Sequence, residues 1–487
     1  MFCNRVARCA TPTNACNKGW RLYLLAHKRS YITGGLICLI ILLCLLTCIL
    51  SGFWKKGLLN QKNPITITIW HTYVEDMRIA FDELIRDFNQ TVGAEKGVIV
   101  KVTSITDATV INEHMIAAAN NDPGAPDMPN LAVIYPQIAV TLAEKGVLVD
   151  LGRHFSREEL ETFVPQFVEE GRLGGEQLYL LPIAKSAEVL YVNRTIFDRF
   201  SKDSGVSVEM LATFEGIARA AEMYYKWSGG KSFFYPEGLF NQAMVGFQQL
   251  GGNIVNNDQT LNLSDSIFKR IWDCYYAPAV KGGTAIYDGW GNYLAATGDV
   301  VCSTASSAGA TFYLPQIIYP DATKKDVEYD VLPYPVFAEG KNVVYQRGGG
   351  FCVTKSNEAK EYAACLFLSW LVEAERNLAF CASIGYMPVR KSSFDEIMAG
   401  NFPVIKIPIA KKTLLAVAAM QKNYDFYFPP VFDGFSRLQT QYADRLRTVA
   451  RESRVEYLRL LETQEPETAF DNVSNNVMDD FISKFNP

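Results

Sequence analysis

The chain has few histidines and no excess of basic residues. Its 487 residues include only 4 histidines, and 47 lysines and arginines stand against 52 aspartates and glutamates. This acidic balance disfavours a nucleic-acid partner, which requires a basic surface. No HExxH or G-x-S-x-G pattern occurs, and His71, His114 and His154 do not have the spacing of metal ligands. We therefore expect a protein that is not an enzyme and that uses no metal and no cofactor.

Cysteine is sparse beyond the first 60 residues. Of the 11 cysteines in the chain, the ones that follow this point are Cys274, Cys302, Cys352, Cys365 and Cys381. Their number is odd, their spacings are wide and no CxxC pair occurs among them, which argues against a disulfide framework or a zinc site. Buried free thiols are the expected outcome.

Charge is absent from residues 32–53, ITGGLICLIILLCLLTCILSGF. A helix of this length rises roughly 33 Å, about the thickness of the hydrocarbon core of a membrane. Six lysines and arginines lie in the 31 residues before it and three, Lys55, Lys56 and Lys62, lie just after it, which places residues 1–31 in the cytoplasm and the rest of the chain outside. We interpret residues 32–53 as an uncleaved transmembrane signal anchor. The alternative is a lipoprotein signal that ends at Cys48. Either anchors the chain to the extracytoplasmic (periplasmic) face of the inner cell membrane.

From residue 64 onward the sequence alternates between strand and helix patterns. Strands are predicted at 65–70, 98–102, 131–135 and 147–151, and helices at about 74–88 and 108–121. This order predicts a parallel sheet covered by helices. Because ligands of such sheets lie beyond the carboxyl ends of the strands, Tyr73, Asp107 and Gln137 are candidate ligand contacts.

Residues 177–197 organise the chain. Two apolar runs, 178–181 and 189–192, predict strands, and Pro182 with several small residues interrupts them. We interpret this stretch as the chain leaving one lobe and entering another; a kinked edge strand at a bulge is the alternative. Residues 331–335 repeat the strand-then-proline pattern and are interpreted as a second crossing.

Two later segments offer polar groups to a ligand. Residues 303–309, Ser-Thr-Ala-Ser-Ser-Ala-Gly, follow a short predicted strand and provide hydroxyls and backbone N–H donors; an ordinary serine-rich helix cap is the alternative. Residues 347–353 form a glycine-rich turn into a strand. The turn lacks the Lys-Ser/Thr ending of a phosphate loop, so nucleotide binding is not expected.

From residue 65 to about residue 444 the chain resembles the extracellular solute-binding proteins of ABC importers, in the group that contains maltose-binding and glycerol-3-phosphate-binding proteins. The resemblance is carried by the motifs at 69–72 (Ile-Trp-His-Thr), 163–165 (Phe-Val-Pro), 179–193, 298–307, 348–350 (Gly-Gly-Gly) and 385–388 (Gly-Tyr-Met-Pro). It implies an α/β, two-lobed periplasmic-binding-protein fold of type II with hinge strands, here preceded by one N-terminal transmembrane helix. Lobe 1 would comprise 64–184 plus 333–371, and lobe 2 would comprise 185–332 plus 372–487.

Within that group the nearest likeness is to binders of glycerol-3-phosphate and glycerophosphodiesters. Carried over by motif, the likeness implies that Ser186 is a hinge-side contact and that Ser306 or Ser307 supplies the hydroxyl pair. Gly348 or Gly349 would give a backbone donor, Tyr386 an aromatic contact and Arg437 the phosphate partner. The chain departs from those relatives where Pro136 and Gln137 replace a glutamate. Aromatic side chains are expected to stack on a sugar or a choline-like cation, with Tyr73, Tyr235, Phe240 and Trp290 as the candidates.

The resemblance implies capture of a small polar ligand and its delivery to ABC permease subunits driven by an ATPase. The expected ligand is glycerol-3-phosphate or a glycerophosphodiester, and a sugar or oligosaccharide is the alternative within the same fold. Two alternatives from other classes are a membrane-anchored glycosidase, whose carboxylates pair in space rather than in sequence, and a ligand-sensing module that serves no permease.

Overall fold

The computed structural model describes residues 57–485 except 106, 265, 402, 404, 406 and 433. The cytoplasmic segment predicted at 1–31 and the signal anchor predicted at 32–53 lie outside the described residues. Within the described part, none of the helices combines the length and the apolarity that a membrane span requires.

The strands of the described residues belong to two main sheets and one hairpin. They are β1 (Ile65–His71), β2 (Val98–Ser104), β3 (Leu131–Ile134), β4 (Ser186–Asn193), β5 (Phe234–Pro236), β6 (Cys302–Ser306), β7 (Gln316–Ile318), β8 (Lys324–Asp326), β9 (Tyr329–Leu332), β10 (Val343–Arg347), β11 (Gly350–Val353) and β12 (Asp425–Tyr427).

Helices cover both main sheets. They are α1 (Glu75–Gln90), α2 (Val92–Lys96), α3 (Ala108–Asn120), α4 (Pro136–Glu144), α5 (Arg157–Leu160), α6 (Pro165–Gly171), α7 (Arg194–Ser204), α8 (Phe214–Ser228), α9 (Leu239–Gln249), α10 (Ser266–Lys281), α11 (Gly291–Thr297), α12 (Glu358–Leu371), α13 (Ala374–Ile384), α14 (Lys391–Ala399), α15 (Pro408–Asn423), α16 (Phe435–Leu460), α17 (Pro466–Ser474) and α18 (Val477–Ser483).

The first sheet has the strand order β11-β3-β1-β2. Strand β1 pairs in parallel with both β2 and β3, and β11 joins the edge antiparallel to β3. Helix α1 packs on this sheet through the buried side chains of Phe81, Ile85 and Phe88. The parallel β-α-β-α-β arrangement predicted for this region is confirmed, because the period-two and helical patterns each bury one apolar face against the other.

The second sheet has the order β12-β10-β4-β6-β5, with β9 also paired to β4. Strand β4 is buried along its whole length, which places it at the centre of the sheet. Strands β9 and β10 occupy successive parts of one edge of β4, and β6 occupies the other edge. The two sheets are the centres of the two lobes of an α/β periplasmic-binding-protein-like fold.

The second crossing lies further along the chain than residues 331–335, where the sequence indicated it. Strands β9 and β10 both pair with β4, so the proline-containing segment between them turns within the second sheet. The chain passes to the first sheet at Gly348 and Gly349, which join β10 to β11. Gly348 has φ of +102°, a left-handed conformation that favours glycine.

Two predicted strands are wrong. Residues 178–181 form no strand, because the N–H groups of Tyr179 and Leu180 both donate to the Gly171 carbonyl and only Leu181 pairs with Phe351 of β11. Residues 147–151 contribute a single bridge between Leu148 and Thr354 and then enter a 3-10 helix. The strand predicted at 189–192 is correct and lies within β4.

Candidate functional site

A cavity of about 630 Å³ lies between the two sheets where the chain crosses from one to the other. Its walls include residues that follow strands of both sheets: Tyr135 after β3, Glu237 after β5, Ala308 after β6 and Gly348 after β10. The position is the one at which open α/β sheets bind ligands, and the volume is that of a small-molecule site.

Strand register brings polar side chains together on the floor of this cavity. Ser186 of β4 lies directly opposite Arg347 of β10, and Glu188 of β4 lies directly opposite Ser306 of β6. Because side chains on one face of a strand recur every second residue, Ser186 and Glu188 project from the same face of β4. Pairing on both edges of β4 therefore assembles two hydroxyls, a guanidinium and a carboxylate.

A hydrogen-bonded chain fixes the Glu188 carboxylate. Its Oε1 atom accepts a hydrogen bond of 2.8 Å from Nδ2 of Asn241 and lies 3.7 Å from Nη1 of Arg347. The Oδ1 atom of Asn241 in turn accepts from Nε2 of Gln439 at 2.8 Å. Burial raises the pKa of the Glu188 carboxyl, and Arg347 opposes that rise. Burial lowers the pKa of Arg347, but Glu188 and other neighbours outweigh this effect and leave that pKa raised, so the guanidinium is charged.

A second carboxylate enters the cavity from the carboxyl end of β5. The Oε2 atom of Glu237 accepts a hydrogen bond of 2.8 Å from the backbone N–H of Gly291 at the start of α11. Burial raises the pKa of Glu237, and the Gly291 N–H and Arg347 oppose that rise. Arg347 thus lies near two carboxylates, the buried Glu188 and the cavity-lining Glu237.

Large aromatic side chains stand exposed on the cavity wall. Trp290 and Tyr293 are each 58% exposed, and Tyr135 and Phe312 are 46% and 45% exposed. Exposed aromatic rings that cluster on one cavity wall are typical of a ligand-binding site. Their flat faces can stack against the apolar face of a sugar ring or against a cation.

Most of the residues predicted as ligand contacts lie at this cleft. The main cavity is lined by Gln137, Ser186, Trp290, Ser306, Gly348 and Tyr386. A smaller neighbouring cavity of about 170 Å³ is lined by Tyr73 and Gly349 and shares Gly348 and Tyr386 with the main one.

The structure places the other predicted contacts outside both cavities. Asp107 caps α3 by accepting from the Thr109 N–H, at 2.7 Å, and Ser307 accepts from the Ala187 N–H through its Oγ atom at 3.2 Å. Buried Tyr235 donates from its hydroxyl to the Gly289 carbonyl at 2.7 Å.

The remaining two lie on or against α16. Phe240 is buried with its ring packed edge-on against Phe435 and Tyr442. Arg437 is exposed on the first turn of α16 and does not line the cavity. It therefore does not lie where the phosphate partner was expected.

Several residues of the site were not found by sequence reasoning: the cavity is lined by Tyr135, Glu237, Asn241, Tyr293, Phe312 and Arg347, and Glu188 is buried beside Arg347. Two of them had a usable signal. Glu188 lies two residues after Ser186 and directly precedes the strand predicted at 189–192, and Arg347 is the first residue of the glycine-rich turn. Glu237 and Asn241 are brought to the site by the pairing of β5 with β6 and by the position of α9, which no local pattern encodes.

The arrangement provides groups that can bind a polar ligand. Among the described residues, no group of three histidine, cysteine, aspartate or glutamate side chains is placed to hold a metal ion. The five cysteines predicted to be buried thiols are buried. The site offers charged and neutral hydrogen-bonding groups with stacking surfaces at its rim.

Comparison with known proteins gives one family. Residues 83–403, well over half of the chain, match the model of a family described as bacterial extracellular solute-binding protein. A comparison with curated protein sequences found no match.

Solved structures share the fold at low sequence identity. The cyclic alpha-maltosyl-1,6-maltose binding protein from Arthrobacter globiformis is 16% identical with a TM-score of 0.64, and the match covers 86% of this chain and 100% of that one. The UgpB protein from Mycobacterium tuberculosis, solved with glycerophosphocholine, is 16% identical with a TM-score of 0.60, covering 87% of this chain and 99% of that one. The sugar-binding protein MalE from Xanthomonas citri is 14% identical with a TM-score of 0.62, covering 86% and 98%.

Proposed function

The chain belongs to the bacterial extracellular solute-binding protein family, and we propose that it captures a neutral polyhydroxylated ligand, a sugar or short oligosaccharide, between its two lobes. This is a family of extracytoplasmic binding proteins and not of enzymes. We further propose that the captured ligand is delivered to an ABC permease with its ATPase, and that the segment at 32–53 anchors the protein to the membrane.

The observation that carries the ligand class is the charge balance of the cavity. Arg347 stands beside two carboxylates, Glu188 and Glu237. A sugar hydroxyl can donate to a carboxylate and accept from a guanidinium at the same time, whereas a phosphate would meet two like charges for one opposite charge. Exposed Trp290 and Tyr293 supply the flat surfaces that a sugar ring can stack on.

A glycerophosphodiester with a cationic head is the second candidate. The planar guanidinium of Arg347 and the hydroxyls of Ser186 and Ser306 could hold a phosphate, and Glu237 with the aromatic rim could receive a cation. In this candidate Arg347 takes the role that the sequence suggested for Arg437. The shared fold of the M. tuberculosis protein solved with glycerophosphocholine makes the comparison worth testing.

The experiment is a thermal-shift screen of the purified full chain against maltose, mannotriose, ribitol, sn-glycerol-3-phosphate and glycerophosphocholine. A ligand at a hundred times its Kd stabilises the folded state by about 2.7 kcal/mol. We expect a shift with a neutral compound that is lost in Arg347→Met and retained in Arg437→Ala. A shift with glycerophosphocholine alone would favour the second candidate. A shift with sn-glycerol-3-phosphate that depends on Arg437 would restore the phosphate site expected from the sequence.

Binding and delivery need separate tests. Deleting the gene should abolish uptake of the radiolabelled ligand if the protein serves a permease. Undiminished uptake, together with tight binding by the purified protein, would favour the ligand-sensing alternative.

A further inference from the structure

Three buried polar side chains meet where the chain crosses between the lobes. Lys185 is 2% exposed, Glu170 is 8% exposed and Gln346 is 1% exposed. They come from three separate segments, because Glu170 belongs to α6, Lys185 directly precedes β4, and Gln346 belongs to β10. Glu170 and Gln346 both line the main cavity. Burying such groups is unfavourable unless each finds a partner.

The partners of these side chains fix the orientation of the Gln346 amide. Lys185 forms an ion pair with Oε2 of Glu170 through its Nζ atom and also donates to the Gly348 carbonyl at 2.6 Å. The Nε2 atom of Gln346 donates to the same Glu170 oxygen at 2.8 Å and to the Gln166 carbonyl at 3.4 Å. A carboxylate and a backbone carbonyl can only accept hydrogen bonds, so the NH2 group of the amide must face them.

The carbonyl oxygen of the Gln346 amide makes no hydrogen bond to the described residues. This atom, Oε1, is buried. Buried acceptors of this kind are rare in native proteins and call for an explanation. Because Gln346 is one of the residues that line the cavity, we take a ligand hydroxyl as the candidate for the missing partner.

We propose that Gln346 is a specificity-determining residue, whose amide is oriented by Glu170 and Lys185 so that Oε1 accepts a hydrogen bond from a ligand hydroxyl. This inference rests on the proposed function, since it assumes a polyhydroxylated ligand in the cavity. Beyond that function, the inference specifies that Gln346 is the acceptor and the ligand the donor of one hydrogen bond. With Glu170 holding the NH2 group, Gln346 can accept but cannot donate towards the ligand, so it favours a hydroxyl and disfavours a phosphate or carboxylate oxygen at that position.

Binding measurements on single variants test the ligand side of this proposal. Calorimetry with maltose, mannotriose, ribitol and glycerophosphocholine would compare the unaltered chain with Gln346→Leu. We expect at least a tenfold loss of affinity for the neutral compound that binds best. The same substitution at Gln248, a half-buried residue of α9 outside the cavity, is the control and should leave affinity unchanged. Unchanged affinity in a folded Gln346→Leu protein would overturn the inference while leaving the proposed function in place. Binding of glycerophosphocholine alone, unaffected by Gln346→Leu, would overturn both.

The orienting role of Glu170 has its own readout. The Glu170→Gln variant replaces an obligate acceptor by an amide, so the Gln346 amide can turn and present its NH2 group to the cavity. We expect the ratio of affinities for a neutral sugar and its deoxyfluoro analogue, which cannot donate, to shrink at least threefold. Because this change leaves Lys185 unpaired, the double variant Glu170→Gln, Lys185→Met provides a charge-balanced companion. An unchanged ratio in both variants would contradict the orienting role.

A measurement without ligand decides the amide orientation by itself. In the full chain with 15N-labelled glutamine, the side-chain NH2 resonances of Gln346 can be assigned by their loss in Gln346→Leu. Their exchange with solvent should be at least tenfold slower than that of Gln248 and should accelerate in Glu170→Gln. Exchange as fast as that of Gln248 in the unaltered chain would overturn the inference whatever ligand the protein binds.

Discussion

Nη1 of Arg347 lies 3.7 Å from Oε1 of Glu188, a carboxylate that is buried on the neighbouring antiparallel strand. The same oxygen accepts a hydrogen bond from Asn241. The pair therefore contributes both to the stability of the second sheet and to the polar floor of the cavity.

Removing the arginine should destabilise the fold because it leaves Glu188 buried without a cationic neighbour. We expect Arg347→Met to lower the free energy of unfolding by about 1–3 kcal/mol, the usual penalty for a buried charged group that loses a partner. Urea unfolding measures this change. The double variant Arg347→Met, Glu188→Gln should lose less than the sum of the two single variants, by about 0.5–3 kcal/mol. Additive losses would mean that the two side chains do not interact.

A buried histidine should make stability depend on pH. His71 accepts a hydrogen bond from the Tyr73 N–H at its Nδ1 atom, and burial lowers the pKa of His71 from 6.5 to about 4. Between these values the unfolded chain binds the proton more readily than the folded protein. The stability that the neutral His71 gives the fold is therefore fully present above pH 6.5. As the pH falls towards 4, the free energy of unfolding decreases by up to roughly 3 kcal/mol.

The variant His71→Asn tests the pH effect because its side-chain oxygen can still accept from the Tyr73 N–H. Urea unfolding at pH 5 and pH 7 should show a smaller difference in this variant than in the unaltered chain. The same change at His114, which lies on α3 beside Trp70, is the matched control and should keep the original difference. An unaltered pH difference in His71→Asn would refute this assignment.

The exposed aromatic rim should contribute to affinity and little to stability. Because the Trp290 side chain is 58% exposed and lines the cavity, Trp290→Ala should weaken ligand binding about tenfold while leaving the melting temperature nearly unchanged. Calorimetry and thermal melting together measure both effects. Trp227 is the control, since it packs against Phe200 and Tyr224 away from the cavity. Trp227→Ala should lower the melting temperature and leave the affinity for ligand unchanged. A loss of affinity in Trp227→Ala, or a loss of stability without a loss of affinity in Trp290→Ala, would contradict these roles.

The crossing at the glycine-rich turn should tolerate no side chain. A Cβ atom at Gly349 would lie 2.5 Å from the Ile134 carbonyl oxygen, a backbone atom of β3 that cannot move without disturbing the first sheet. Gly349→Ala should therefore destabilise the protein by about 1–3 kcal/mol. At Gly175 an added Cβ would make only an ordinary contact of 3.6 Å with the Arg172 carbonyl oxygen, so Gly175→Ala is the control. Equal melting temperatures for the two variants would contradict the prediction, because they would show that the backbone around Gly349 can shift to accommodate the added Cβ atom.

The amino-acid sequence determined the local elements and the edge at which ligands meet the first sheet. Period-two and helical patterns predicted β1, β2, β3 and the helices between them, because each pattern reports which face is buried. The rule that ligands lie beyond strand ends then placed Gln137 at the site. Ser186 and Tyr386 were found through the family resemblance and also line the cavity.

Only the tertiary structure decided which arginine lines the cavity. Arg347 and Arg437 each lie close to a glycine in a short motif, and nothing local distinguishes them. Pairing of β10 with β4 places Arg347 opposite Ser186 on the cavity floor, whereas α16 begins with Arg437 on its exposed side. The same long-range pairing kept β9 and β10 in the second sheet and moved the crossing to Gly348. A local sequence pattern shows which face of a single helix or strand is buried. Which residues of two distant elements come together depends instead on how those elements pack.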